Sequence, residues 1–360
     1  MRAVGKAPGK LILSGEHAVV YGHRAIAAAV PLHVTVTLSA RPGPLTVDGQ
    51  DDPRLLDALA TVLPNEGYGV ALDSELPPGA GMGSSAAIAV ATVRAWAAIH
   101  GESPSPDACF ERSWKVERVF HGNPSGVDQA VSSRGGVLSY RRDPLELRPL
   151  TLPEPLTLIV VHTGRPSRST AEMVAAVREG ARWDLLERIG ALSQELEGRL
   201  VSGGDVGDLL DENHRLLMDL GVSTPELDGV CGAMRKAGAR GAKLAGAGGG
   251  GIAFSEVSAE RADAVERAAA AWGPAWRLRI GAERSGAKLR IIPCPNPYAS
   301  RPGEVASPPW NLPLTFPLWS LIAPTAIFQL LPSVTRRVTP GSTSRGRTSC
   351  HEWTRSPLAS

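Results

Sequence analysis

Pro77-Pro78-Gly79-Ala80-Gly81-Met82-Gly83-Ser84-Ser85 runs straight into a stretch, to about residue 99, rich in Ala, Val and Ile with Arg94 as its one charge. The first part reads as a glycine-rich loop and the second as the helix it opens. A helix that is apolar all round is buried all round, so this one is expected at the centre of a domain. Glycines let other backbone come close. A helix starting directly behind them turns its unbonded N–H groups, and the positive end of its dipole, into the loop. That combination suits a phosphate, and a serine at the helix start could offer its hydroxyl to Mg²⁺. The plainer reading is an N-cap at Ser84 or Ser85, which requires no ligand. The spacing does not match G-x-x-x-x-G-K-[ST], so no Walker-type fold is implied.

Upstream of the loop, residues 1–50 alternate short apolar runs with Gly and Pro, at 10–14, 32–38 and 45–47, and read as strands. Residues 51–63 look helical and 69–72 like another strand. Downstream, a second helix is expected from about Pro106 to Phe120, then strands at 136–141 and 156–162. Residues 171–178, 183–200, 206–220 and 225–237 carry helical periodicity. Two short strands flank residues 246–251; a last helix at 259–272 and a strand at 276–280 close the body. The implied class is α+β, with a mixed first domain (residues 1–150) and a second domain (151–292).

With 360 residues, 43% hydrophobic and 21% charged, the chain can bury the core of one large or two ordinary domains. From Pro293 onward it has six Arg, two acidic residues and 12 of the 30 prolines. The tail thus carries +4 of the total of +2, leaving −2 on residues 1–292. The body is no general polyanion binder, so no nucleic-acid partner is expected. No period persists in residues 293–360, which read as disordered or as a non-native extension. Within them, residues 305–335 are apolar and uncharged, but six prolines interrupt a span that needs ~20 helical residues, so no membrane segment is expected. Cys109, Cys231, Cys294 and Cys350 form no C-x-x-C or His/Cys cluster, as suits a reducing cytoplasm.

Three further motifs bear on chemistry. Gly246-Ala247-Gly248-Gly249-Gly250-Gly251 nominally matches G-x-G-x-x-G, but Ile252-Ala253-Phe254 behind it reads as a strand. A dinucleotide site needs a helix there, leaving a flexible hairpin or a loop that closes on substrate or phosphate. In Glu117-Arg118-Val119-Phe120-His121-Gly122-Asn123-Pro124-Ser125-Gly126-Val127-Asp128, Glu117 follows Phe110 and Trp114 on one helical face that continues to His121. A carboxylate on an apolar stripe needs a cation or donors, which makes Glu117 a metal-ligand candidate; a rim glutamate paired with a basic neighbour is the alternative. Asp128 sits behind a Pro/Gly loop, where an Asp commonly caps a helix or makes a turn. Finally, in Ala7-Pro8-Gly9-Lys10-Leu11-Ile12-Leu13-Ser14-Gly15-Glu16-His17, a strand lysine beside glycine loops could reach a phosphate, or be a solvated edge residue.

Together and in this order, the motifs closely resemble the superfamily named after galacto-, homoserine, mevalonate and phosphomevalonate (GHMP) kinases. The resemblance rests on Pro8-Gly9-Lys10 with Gly15-Glu16-His17, on residues 78–87, and on residues 243–251; it spans about residues 3–290. Within the superfamily, Gly15-Glu16-His17-Ala18-Val19-Val20-Tyr21-Gly22 and residues 121–128 resemble the mevalonate kinases. Galactokinases usually continue Gly-Glu-His with Thr-Asp-Tyr, phosphomevalonate kinases tend to have Tyr where His17 stands, and homoserine kinases lack an aspartate at the Asp128 position. Ala245 departs from the common Thr or Ser.

The resemblance implies a two-domain GHMP kinase fold, with a ribosomal protein S5 domain 2-like first domain and a ferredoxin-like second one. It implies a cytoplasmic enzyme, homodimeric by resemblance alone, that uses ATP and Mg²⁺ to phosphorylate the C5 hydroxyl of mevalonate. Pro78, Gly79, Ala80, Gly81, Met82, Gly83 and Ser84 would cradle the ATP phosphates. Ser85, beside them, would hold Mg²⁺ with Glu117. Asp128 would accept the hydroxyl proton or orient the hydroxyl, and Lys10 would neutralise the transferred group. His17, Arg168 and Thr170 would lie on the substrate side, with Gly246 and Ala247 of the second glycine loop. Another kinase of the superfamily, or an idle fold used for binding, are the alternatives.

Overall fold

The computed structural model describes residues 1–48, 52–77, 79–122, 124–281 and 291–292. The readings for Pro78 and for the 293–360 tail, with Cys294 and Cys350, lie outside the described residues. Two long antiparallel strands open the chain, β1 (Arg2–Ser14) and β2 (Ala25–Pro44). Then come β3 (Thr46–Val47), α1 (Pro53–Ala60), β4 (Glu66–Ser74), α2 (Ser84–Ile99), α3 (Pro106–His121), α4 (Val127–Arg134), β5 (Val137–Arg141) and β6 (Glu146–Leu150). The sheet runs β3-β4-β2-β5-β6, with β1 on β2; only β3 and β4 pair in parallel among the described strands.

The short strands expected at 10–14 and 32–38 are parts of these longer ones, because Pro8, Gly9 and Pro31 do not end them. Pro8 faces His33 while Lys10 faces Ala29, so the ladder slips between them. Pro31, with no N–H to give, falls in that slip. It also lies between the stretch of β2 paired to β5 and the stretch paired to β4. A proline is tolerated where no ladder bond is required.

The apolar helix α2 is buried on nearly every side, from Ser85 to Ala97 with few gaps. Its one charge is satisfied by carbonyls: Arg94 donates to Lys6 O at 2.6 Å and to Ser133 O at 2.7 Å. The cap differs from the sequence reading. Gly83, in the left-handed region at φ 72°, is the N-cap of α2, and no side chain caps it. α4 and β6 were not anticipated; α4 is eight residues of mostly small or polar type with no apolar stripe.

The second half contains β7 (Leu156–His162), α5 (Thr170–Gly180), α6 (Trp183–Ser202), α7 (Gly207–Asp219), α8 (Pro225–Lys236), β8 (Gly241–Leu244), β9 (Ile252–Glu256), α9 (Ala262–Ala270), β10 (Ala275–Ile280) and β11 (Ile291–Ile292). Its sheet is antiparallel in the order β11-β10-β7-β9-β8. Leaving β11 aside, β7, β8, β9 and β10 stand in the order fourth, first, third, second. Helices separate the first from the second and the third from the fourth, which is the ferredoxin-like plan. α9 starts later than expected, at Ala262.

The two sheets are not packed separately. One apolar cluster joins Leu11 and Val36 of the first sheet and Val90 of α2 to Leu192 and Leu196 of α6 and to Leu278 of β10. Burial of this kind contributes roughly 25 cal/mol per Å², so the halves are held by a shared core. No helix among the described residues is long and apolar enough to cross a membrane.

Candidate active site

The slip in β1 seats the first glycine loop. Gly9 faces that loop so closely that a Cβ there would lie 2.5 Å from a Leu76 methyl carbon and 2.9 Å from Met82 O. Lys10 N then donates to Met82 O at 2.9 Å. The lysine side chain, buried at 4% exposure, runs under the loop. Its Nζ donates to Gly81 O at 3.1 Å and lies 3.3 Å from Asp128 Oδ1. Asp128 is in the first turn of α4, behind the N-cap Gly126, so it does not itself cap the helix. Gly83 completes the contact: a Cβ on it would be 2.9 Å from Lys10 Cγ and 3.4 Å from Asp128 Oδ2. Uncapped α2 amides, a cation and a carboxylate thus share one small space.

Glu117 belongs to the same space and not to a rim. It is 2% exposed, with Oε1 lacking any partner. Burial first, then the neighbouring Asp128 charge, push its carboxyl up to about 8, against a bond from Ser85 and the pull of Lys10. His121, one turn further along α3, has Nε2 3.6 Å from Glu117 Oε2 and 3.3 Å from Ser85 Oγ. Sequence reading gave His121 no role; its signal was the four-residue step from Glu117.

Glu16 and His17 join the second glycine loop from the other side. Ala18 N donates to Glu16 O at 2.6 Å across His17, whose φ is 59° and ψ −47°. This is a γ-turn of the strained, positive-φ kind, and a non-glycine residue there invites a functional account. His17 Nε2 lies 2.9 Å from Ala247 O, and Nδ1 has no partner. Burial holds the imidazole down to about 4. The neutral ring therefore donates from Nε2 and presents a bare lone pair at Nδ1.

Glu16 pairs with Lys243 of β8, both within 1% of full burial. Burial pushes the carboxyl up and the ammonium down, and each charge opposes the shift of the other. Lys243 also donates to Leu244 O at 2.7 Å.

The two glycine loops face each other. A Cβ on Gly251 would be 3.4 Å from Ala80 O, and one on Gly246 would be 3.7 Å from Gly81 O. Ala245, the departure from Thr or Ser, is 7% exposed. Arg168 and Thr170 are exposed, Arg168 in the loop before α5 and Thr170 as its first residue. Their segment meets the second glycine loop through Ser167, whose N donates to Gly249 O at 2.9 Å, and through Pro166 and Met173, which crowd Gly250 and Gly249.

A cavity of about 390 Å³ is lined by Val20, Tyr21, Gly22, Arg141, Arg142 and Asp143. Arg141 is fixed by Gly22 O at 3.0 Å and Glu146 Oε1 at 3.5 Å. Tyr140 precedes Arg141 in β5. Its hydroxyl donates to Ser125 O at 2.6 Å. Burial pushes it up to about 12, with Arg142 opposing and Asp128 adding to the shift. The two arginines were not singled out from sequence, since nothing local joins residues 20–22 to 141–143.

Models of the GHMP kinases N terminal domain and the GHMP kinases C terminal match residues 54–136 and 200–275. The mevalonate kinase of Thermococcus sibiricus is 35% identical over 315 residues, covering 74% of this chain and 93% of that protein. The mevalonate kinase of Aeropyrum pernix is 36% identical over 296 residues, covering 72% and 90%. Among solved structures, the mevalonate kinase of L. major in complex with R-mevalonate superposes with a TM-score of 0.69 at 30% identity, covering 78% of this chain and 95% of that one.

Proposed function

Because the chain belongs to the mevalonate kinase family of GHMP kinases, we propose that it transfers the γ-phosphoryl group of ATP to the C5 hydroxyl of mevalonate. The chain is an ATP-dependent small-molecule kinase. The observation that carries the reading is Lys10 and Asp128, 3.3 Å apart, beneath the uncapped start of α2.

Phosphoryl transfer asks for positioning and charge stabilisation more than covalent help. The loop of residues 79–84 and the first α2 amides are suited to ATP's phosphates. Asp128 accepts the proton of the attacking hydroxyl, or holds that hydroxyl in line, as the new O–P bond forms and the β–γ bridge bond breaks. Lys10 balances charge on the transferred group. No phosphoenzyme is required.

Glu117 and Ser85 would hold Mg²⁺. Among the described residues no three His, Cys, Asp or Glu gather as a metal cluster. Mg²⁺ commonly takes one or two carboxylates with phosphates and waters. A buried carboxylate with an unpartnered oxygen beside a second carboxylate is short of positive charge, and fits that role. When bound, the ion would offset charge on the ATP phosphates.

The acceptor is an anion, and the cavity offers Arg141 and Arg142 to its carboxylate. His17 Nδ1 is poised to accept a bond from an acceptor hydroxyl. With Arg168 and Thr170 kept on the substrate side, these two features would anchor the acceptor end. The same reading makes the enzyme cytoplasmic, its described cysteines Cys109 and Cys231 buried as free thiols, and leaves a homodimer to be checked by sedimentation.

The test is ADP release with Mg²⁺-ATP and mevalonate, phosphomevalonate, galactose or homoserine in turn. Turnover confined to mevalonate is expected; turnover on another acceptor and not on mevalonate overturns the substrate. In the same assay Arg142→Ala should raise the mevalonate KM and leave the ATP KM unchanged.

A further inference from the structure

Helix α6 follows β7 in the second half of the chain, yet one of its faces rests on the segment that lines the cavity. Trp183, Gly190 and Glu197 are seven residues apart, close to two full turns each, so they share that face. Trp183 meets Tyr21 edge to face, with ring centres 5.0 Å apart and planes at 84°. Gly190 makes room for His23: a Cβ there would lie 2.6 Å from Nδ1 and 2.9 Å from Cβ of that histidine. Glu197, 6% exposed, accepts from Ser139 Oγ at 2.9 Å and lies 3.6 Å from Arg24 Nη1. Going along the helix, the contacts fall on residues 21, 23 and 24 in order. Between them, Ser193 Oγ is 2.9 Å from Ser14 Oγ of β1.

The contact at Glu197 also reaches the cavity. Arg24 Nη2 donates to Glu146 Oε2 at 2.8 Å, and Glu146 Oε1 is 3.5 Å from Arg141 Nη1. Arg141 Nε in turn donates to Gly22 O at 3.0 Å. Both ends of this chain of contacts therefore bear on cavity-lining residues, Tyr21 from one side and Gly22 with Arg141 from the other.

We propose that α6 is a positioning strut for the acceptor cavity: through Trp183, Gly190 and Glu197 it sets residues 21–24, and so the arginine-bearing wall, without touching the acceptor. The inference rests on the reading of the cavity as the acceptor's seat. It assigns the second half of the chain a part in acceptor affinity separate from the glycine loops. A closely packed site has no slack to absorb an added methyl. A small displacement of the strut should therefore be read out in acceptor binding, while the phosphate loop, held by β1 and α2, stays in place.

The experiment uses two matched substitutions on α6 in the full chain. Gly190→Ala pushes a methyl against His23. Gly198→Ala makes the same chemical change where a Cβ would meet nothing within 4 Å. Alanine is the better helix former at both places, so neither should weaken the helix itself. Gly190→Ala is expected to raise the mevalonate KM about tenfold, with kcat and the ATP KM unchanged, and Gly198→Ala to change none of the three. If Gly190→Ala yields no folded protein, Glu197→Gln, which keeps the side-chain shape, carries the same expectation. An equal rise in both glycine variants, or a fall in kcat without a change in KM, overturns the strut. A raised KM in Arg142→Ala beside an unchanged one in Gly190→Ala overturns the strut alone. An unchanged KM in Arg142→Ala removes the cavity reading and the strut with it.

Discussion

Acid should unfold this protein partly through His17. Burial holds its imidazole at about 4, against 6.5 for a solvated one. The folded pKa is thus depressed: the unfolded chain takes up a proton in this window that the folded chain refuses. The contribution of His17 is therefore constant above about pH 7 and falls as the pH drops from 6.5 toward 4. From the two pKa values the loss is about 2 kcal/mol between pH 7.5 and pH 5, approaching about 3 kcal/mol below pH 4. His17→Asn removes the titration and suits the backbone, since Asn accepts positive φ more readily than most residues. Urea unfolding of both chains, followed by tryptophan fluorescence at pH 7.5, 6.5 and 5, gives the comparison. His33, His121, His162 and His214, also lowered by burial, titrate in both chains and cancel in the difference. The wild type should lose about 2 kcal/mol more than the variant over this range. Parallel pH profiles would refute the claim that His17 is held neutral.

Asp128→Ala should lower kcat by roughly 10²–10⁴-fold, the usual range for a general base; steady-state kinetics with an ATP-binding titration checks this, and near-wild-type kcat removes Asp128 from the chemistry. Gly83→Ala should cost about 1–2 kcal/mol for a left-handed alanine and lower kcat/KM for ATP, because the new methyl strikes Lys10; calorimetry with kinetics reads both. Lys243→Met should destabilise by about 3–5 kcal/mol by stranding the buried Glu16 charge, and adding Glu16→Gln should recover most of the loss in chemical denaturation. Additive losses in that double variant would show that the two residues do not act as a pair.

The parts of this structure that could be read from sequence are those with a local signature. The apolar run with a single arginine gave α2, the glycines ahead of it gave the loop, and the motif order gave the superfamily. Strand length could not be read this way: Pro8, Gly9 and Pro31 carry the local signature of strand ends, and only the pairing register reveals a slip instead. The cap of α2 went to Gly83 over Ser84 or Ser85, since a left-handed glycine brings the loop onto Lys10 and leaves the helix amides uncapped. α4 escaped because eight small and polar residues have no period to detect. The cavity arginines and the Glu16–Lys243 pair depend on contacts between residues far apart in the chain, which no window of sequence contains.

Helix α2 has a consequence for how ligands are received. Its body is sealed in the core, while its first turn opens, uncapped, into the site. In hydrogen exchange one helix should therefore span both extremes, with interior amides opening only in global unfolding and first-turn amides exchanging early. Donors fixed to so slow-opening an element need no ordering when an anion arrives. Nucleotide binding should accordingly slow exchange in the first turn of α2 and leave the rest of that helix unchanged.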